Sequence, residues 1–288
     1  MVVELTSSYW VLTFVGIAVT FAQVLLNVYI FHKYTLKSRI WKKLEYQLIL
    51  LRVVFDGLNG LGSFTYFTSS IPILIFPDVF PFDIAFLIAL FGSNLLEMRS
   101  FLAAVISIER VLATTFPIEF YRYRNRISNL PIIGFIIFTG LSGDVVLFGF
   151  CGFRLPISSD CSNFSCATPT CYQNYLAATK IVYASLNSLF STVLCFKLLW
   201  LSWQHTESPT DLRKANLLSL TDGLSTLLFD LLPSLLFNSG IINIKGPVMG
   251  VLRQMGRAVE AAVMVRLMKK TKRVAHVRLS ASNRQNVH

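Results

Sequence analysis

The residues able to do chemistry in this chain are few and unusually placed. Asp56, Glu97, Arg99, Asp144, Asp230, Arg253, Arg257 and Glu260 stand inside long apolar runs. An ionised side chain in hydrocarbon is costly unless paired or hydrated, so each needs a partner or a function. A second group sits in "SIERVLATTFPIEFYRYRNRI", residues 107–127. There Glu109 and Arg110 close an apolar run, Pro117 follows the arginine by seven residues, and Arg122, Arg124 and Arg126 come next. Four of the five cysteines, Cys151, Cys161, Cys166 and Cys171, fall within 21 residues, around the sequon Asn163-Phe164-Ser165.

None of these groups reads as an enzyme. His32, His205, His276 and His288 have no partner spacing for a metal or a catalytic triad. There is no G-x-x-x-x-G-K-S/T loop to hold phosphate and no G-x-S-x-G elbow to present a serine. No cofactor motif is present, and no metal site is expected.

The elements that must position these residues follow from composition. Of 288 residues, 54% are hydrophobic and 14% charged, against about 25% charged in a soluble domain. Mean hydropathy is +0.59. Apolar runs long enough to cross roughly 30 Å of hydrocarbon as helices recur along the chain. We read an all-α polytopic membrane protein, a single domain of seven helices over about 9–31, 47–68, 84–113, 130–152, 175–203, 217–238 and 247–267, with a basic tail over 268–288. The third and seventh runs are interrupted by charges and must turn them toward protein or water.

The net charge of +11 could suggest nucleic acid, but its placement fits membrane orientation instead. Sixteen lysines and arginines fall in the loops after runs one, three and five and in the tail, against Arg154 and Lys245 on the other side. This puts the tail in the cytosol and the N-terminus outside. The N-terminal residues carry Glu4 and no basic stretch, so the first run is expected to stay as an anchor.

The cysteine-rich loop between runs four and five then lies outside, where disulfides form and Asn163 could be glycosylated. Four cysteines allow three pairings, and zinc is the competing use. Cys195, inside run five, is expected to pack in the bundle. Lys180 and Lys197 lie near helix ends and can snorkel. Lys180, near the outer mouth, is also a weak candidate for ligand contact.

Counting residues from the cytosolic end of each run places Asp56 ~13 Å deep, Arg99 ~16 Å, Arg257 ~15 Å and Glu260 ~10 Å. A second layer, with Glu97, Asp144, Asp230 and Arg253, lies near ~20 Å. Opposite charges therefore recur at matching depths on different helices. Arg253 and Arg257 share a helix face, whereas Glu97 and Arg99, two apart, point to different sides. Static ion pairs, a network that rearranges between states, and an ion path are all compatible with this layout.

"ERVLATTFP" carries a family resemblance. Rhodopsin-like G-protein-coupled receptors have Asp/Glu-Arg-Tyr here, with a proline seven residues on; Val111 stands at the tyrosine position. Asn27 in "LLNVYIF" and Asp56 in "VVFDGLNGLG" sit where that superfamily has its first-helix Asn and second-helix Asp, and Pro233 sits at the sixth-helix kink. Leu231 replaces the family tryptophan and Asp230 its cysteine, span seven lacks Asn-Pro-x-x-Tyr, and the outer end of span three has no cysteine. With these losses the chain resembles the divergent nematode serpentine chemoreceptors, closest to the Srbc class with its ER-x-x-A-x-x-FP signature.

The resemblance implies a chemosensory receptor in the plasma membrane of sensory neurons or cilia. It would bind an extracellular small molecule and activate a heterotrimeric G protein. It also implies that Arg110, with Glu109 and Pro117, is the switch. Asn27 and Asp56 would join Glu97, Arg99, Asp230, Arg253, Arg257 and Glu260 in a polar core, and Arg122, Arg124 and Arg126 would meet the cytosolic partner. "SPTDLRKAN" reads as a helix start capped by Ser208, and "KKTKRVAHVR" as a segment drawn to anionic lipid. A small transporter or a ligand-gated channel using the buried charges is the rival reading.

Overall fold

A computed structural model describes residues 7–33, 44–75, 82–124, 126–157, 161, 164–203, 210–238 and 248–285. Every regular element among them is helical. The sequon residue Asn163, the Ser208 cap and the side chains of the basic tail lie outside the described residues.

Five helices are long and apolar enough to cross a membrane. They are α1 (Ser7–Phe31), α2 (Leu44–Ile75), α3 (Phe82–Thr115), α5 (Leu130–Asp144) with its continuation to Phe150, and α7 (Thr170–Trp203). Two shorter helices are α4 (Pro117–Arg124) and α6 (Phe164–Ala167). The sixth long rod is α8 (Thr210–Thr226) running through Leu227–Leu231 into α9 (Leu232–Asn238), and the last helix is α10 (Val248–Gln285). These last two rods carry Asp222 and Asp230, and Arg253, Arg257 and Glu260, which is why their apolar content is lower.

The helices pack in a closed circuit, α1 on α2, α2 on α3, α3 on α7, α7 on α8, and α10 on both α8 and α1, with α5 against α3. Helix α3 thus sits at the centre. The apolar core of Leu48, Val53, Leu102, Ile106, Ile136, Leu218 and Val265 fills the half of the bundle nearer α4. Phe14, Phe138, Leu224 and Val259 point outward, as helix faces in lipid do because lipid tails are as apolar as leucine.

Two of the rods loosen into π-helical turns. In the sixth, Leu227–Leu231 is π-helical just before Pro233. Proline has no N–H and its ring crowds the carbonyl four residues back, so the preceding turn must widen. Asp230 stands in that widened turn. The fourth rod is π-helical over Val145–Phe150 and stops at Cys151. Gly152, at φ 63°, then reverses the chain, a geometry glycine adopts without steric cost.

The cysteine loop closes that end of the bundle. Cys151 is bonded to Cys171, joining the end of the fourth rod to the start of α7, and Cys161 is bonded to Cys166 within the loop. No cysteine is available on α3, and aromatic stacking holds the loop there instead. The Phe86 ring lies 4.8 Å from Phe153 and 5.2 Å from Phe164, centroid to centroid. The Ile157 N–H donates to Asp83 Oδ1 at 3.0 Å, a second tie to the first turn of α3.

Candidate functional site

The intramembrane charges converge on one arginine. Arg99 of α3, 1% exposed, donates through Nε to Asp56 Oδ1 on α2 at 2.8 Å. Its Nη2 reaches Asp222 Oδ1 on α8 at 2.9 Å and Glu260 Oε2 on α10 at 2.7 Å. Arg52 of α2 joins the same acids: Nη2 lies 2.8 Å from Asp222 Oδ1 and is paired with Glu260, and Nε lies 3.8 Å from Asp56. Arg257 is paired with Asp230 and lies 3.6 Å from Glu260. Arg253 extends the chain, with Nε 3.5 Å from Asp230 and Nη2 donating to Ser234 at 3.3 Å.

Helical spacing makes this possible. Arg52 and Asp56 are four apart on α2, and Arg253, Arg257 and Glu260 lie at i, i+4 and i+7 on α10, so each helix turns one charged stripe inward. The network holds four arginines and four acids, and its formal charge closes at zero. Balance of that kind lets ions sit where water cannot reach them, since the mutual attraction offsets their desolvation.

Arg52 and Asp222 are absent from the charge pairs we read in the sequence, yet Asp222 is among the most buried members, at 1% exposure. Both could have been found by tallying every ionisable residue within each apolar run. The two depth layers are not kept apart either. Asp230 meets Arg257 of the other layer as well as Arg253 of its own, the two arginines being one turn apart on α10. Asn27 is buried but donates to the Gln23 carbonyl of its own helix. The link from α1 to α2 runs through Gln23 Nε2 to the Asp56 carbonyl at 2.9 Å.

Glu97 points away from Arg99, to the α5–α7 side. Its Oε1 accepts from Thr179 at 2.8 Å. Among the described residues its Oε2 and Asn94 Oδ1 have no hydrogen-bond partner, and Tyr172 Oη lies beside them. A Cβ built on Gly143 would stand 3.1 Å, 3.3 Å and 3.5 Å from these three oxygens. Only a glycine leaves that space. Asn94 Nδ2 donates to Asp144 Oδ1 at 2.8 Å, which fixes the amide with its oxygen toward Glu97.

Directly beside the arginine cluster lies a cavity between α3, α7, the sixth rod and α10. It is lined by Leu96, Arg99, Ser100 and Ala103, by Lys180, Ile181, Tyr183, Ala184 and Asn187, and by Thr226, Asp230, Leu231, Ser234 and Arg253. Arg99 therefore belongs both to the cavity wall and to the centre of the charge network. Asn187 gives a second connection: it accepts from Ser107 at 2.6 Å and donates toward Asp222 at 3.4 Å and Thr226 at 3.2 Å. Lys180, for which snorkelling was the expected role, lines this cavity.

At the α4 end, Glu109 is engaged by Arg124. Arg124 Nε donates to Glu109 Oε1 at 2.7 Å, Nη1 donates to the Ile127 carbonyl at 3.0 Å, and Nη2 meets Asn129 Oδ1. Asn129 in turn donates to Gln47 Oε1 on α2 at 2.5 Å. Arg124 is 8% exposed, which corrects the expectation that all three loop arginines face solvent; Arg122 and Arg126 do. The reason is α4 itself, a helix opened by Pro117 at its first position that folds the loop back against α3. Arg110 is buried, at 4% exposure. Cys195, expected inside the bundle, is exposed on α7.

Residues 5–272 match the model of the serpentine type 7TM GPCR chemoreceptor Srbc family. The chain is a member of the Srbc family. No curated protein shows a significant match to it. Membership makes this a seven-transmembrane, multi-pass membrane protein of a chemoreceptor family. Among the described residues, no group of histidine, cysteine and acidic side chains is arranged to hold a metal ion.

Proposed function

We propose that this Srbc protein binds a small molecule from outside the cell in the cavity between α3, α7, the sixth rod and α10, and passes the event to a heterotrimeric G protein at the α4 end. One observation carries the reading: Arg99 lines the cavity and is also the hub that ties α3 to α2, α8 and α10. A molecule seated there changes the electrostatic surroundings of a side chain on which four helices converge. A ligand shifts a two-state equilibrium only through contacts that differ between the states, and a hub shared by cavity and bundle supplies them.

On this reading the N-terminus and the Asn163 loop face outside, Asn163 is glycosylated, and the receptor resides in the plasma membrane of sensory cells. The charge asymmetry of the loops supports that orientation. Glu109, Arg110 and Pro117 form the switch, with Arg122 and Arg126 exposed toward the partner and Arg124 holding Glu109 at rest. When the helices part at this end, the long, permanently charged Arg110 side chain exchanges its intramolecular contacts for the partner's backbone.

The test is a small-molecule screen in cells with a G-protein-activation readout, run on the native chain and on Arg110→Ala. Arg110→Ala should reach the surface and bind ligand but fail to activate, with Arg110→Lys recovering part of the response. Normal activation by surface-expressed Arg110→Ala would reduce that residue to a structural role. Ligand-dependent current in cells lacking G-protein signalling would replace the receptor reading with a channel or transporter.

A further inference from the structure

Resting on the cavity assigned above, we infer that its ligand is a small monoanion, a carboxylate with a short apolar body, held by Lys180 and Arg253. The charges of the wall do not balance from inside. Lys180 lines the cavity and makes no hydrogen bond or ion pair with any described residue. Arg253 has one loose ionic contact, at 3.5 Å, to an Asp230 already paired with Arg257. Arg99 contributes a buried nitrogen, Nη1, that no described acceptor takes, although its Nε and Nη2 are fully used.

The nearest candidate counter-charge on α3 is turned elsewhere. Glu97 gives Oε1 to Thr179 and directs Oε2 to the space over Gly143, and it is not part of the cavity wall. The network of four arginines and four acids closes without Lys180, and Glu97 and Asp230 act on the lysine only through space, so no described carboxylate contacts its ammonium group directly. A cation left without a contacting carboxylate within the bundle is costly until an anion joins it.

Asp230 sets the valence. It lies in the same wall as Lys180 and Arg253, so the three together offer one net positive charge and disfavour a dianion such as phosphate. Leu96, Ala103, Ile181, Ala184 and Leu231 also line the wall, an apolar surface that suits a small hydrocarbon body. A fork-shaped guanidinium and a mobile ammonium on opposing helices, α10 and α7, match the two oxygens of a carboxylate.

The full-length protein in nanodiscs is titrated with propionate and butyrate, and with propionamide and butyramide as neutral counterparts of the same shape. Binding is followed by equilibrium dialysis of labelled compound. The carboxylates should bind saturably and the amides more weakly by on the order of tenfold to a hundredfold, the worth of a charged partner. Lys180→Met should lose carboxylate affinity by a similar factor, and Lys180→Arg should retain most of it. The wild-type carboxylate-to-amide ratio needs no variant, so a folding defect in Lys180→Met leaves the comparison intact. Absence of binding by both carboxylates, equal binding of amides, or an unchanged affinity in folded Lys180→Met would overturn the assignment.

The outcomes also separate this inference from the receptor reading. Carboxylate binding through Lys180 without G-protein activation would leave the anion site standing and remove the receptor. Activation by neutral molecules alone, indifferent to Lys180→Met, would do the reverse.

Discussion

Replacing Asp222 by asparagine changes one atom and breaks the neutrality of the buried network. Asp222 Oδ1 is the shared acceptor of Arg52, at 2.8 Å, and Arg99, at 2.9 Å. After Asp222→Asn, four arginines face three acids. Removing one partner of a buried ion pair typically costs about 3–5 kcal/mol. Here each affected arginine keeps other acids: Arg52 keeps Glu260 and Asp56, and Arg99 keeps both as well. The amide oxygen can also still accept one N–H. The expected loss is therefore at the lower end, about 3 kcal/mol.

At roughly 2–4 °C per kcal/mol, this corresponds to a fall on the order of 10 °C in apparent melting temperature. It is read by thermal unfolding of purified protein in nanodiscs, with surface expression as a cellular counterpart. The second arm restores neutrality: Arg52→Met combined with Asp222→Asn leaves three arginines and three acids. The double variant should be more stable than the sum of the two single changes allows, by about 1 kcal/mol or more. Additive losses, or an Asp222→Asn protein as stable as the native one, would show that the convergence on Arg99 is geometric proximity without energetic consequence.

At the α4 end, Arg124→Ala leaves the Glu109 carboxylate without its 2.7 Å partner and frees the loop from Asn129; basal G-protein activation per surface receptor should rise, Glu109→Gln should reproduce the effect, and unchanged basal activity in both would deny the contact a resting role. On the α5 side, Gly143→Ala drives a methyl within 3.1 Å of Glu97 Oε2 and 3.3 Å of Asn94 Oδ1, and should cost about 1–3 kcal/mol in thermal unfolding, as overpacking does. Gly134→Ala on the same helix meets nothing within 4 Å and is the control; equal melting temperatures for the two variants would mean that the space over Gly143 readily relaxes.

How far the fold and site were legible depends on whether a residue's partner is set by one helix or by several. Long apolar runs, the all-helical class and the family signature around Glu109 and Pro117 are properties of single segments, and they read directly. The inward stripe of Arg253, Arg257 and Glu260 is likewise local, since spacing alone puts the three on one face. Half of the cysteine pairing is not local: Cys161 and Cys166 are five residues apart, but joining Cys151 to Cys171 brings together the end of the fourth rod and the start of α7, after the chain turns at Gly152.

Depth counting groups Asp56, Arg99 and Glu260, and Asp230 with Arg253, and these are in contact; what it misses is Asp230 reaching Arg257 of the other group. It treats each helix as an ideal rod, and the sixth is not one. Asp230, in the π-helical turn ahead of Pro233, meets Arg257 and Arg253, while Asp222, on the regular part of the same rod, meets Arg52 and Arg99. The sixth rod therefore holds the network at two points on either side of its own irregularity. A movement of one half relative to the other cannot leave both sets of ion pairs unchanged. The cavity lies against that irregular stretch, with Thr226, Asp230, Leu231 and Ser234 in its wall. A ligand anion competing with Asp230 for Arg253 would act at the place where this rod can bend, and the fixed half, anchored through Asp222 to Arg99, would be the pivot.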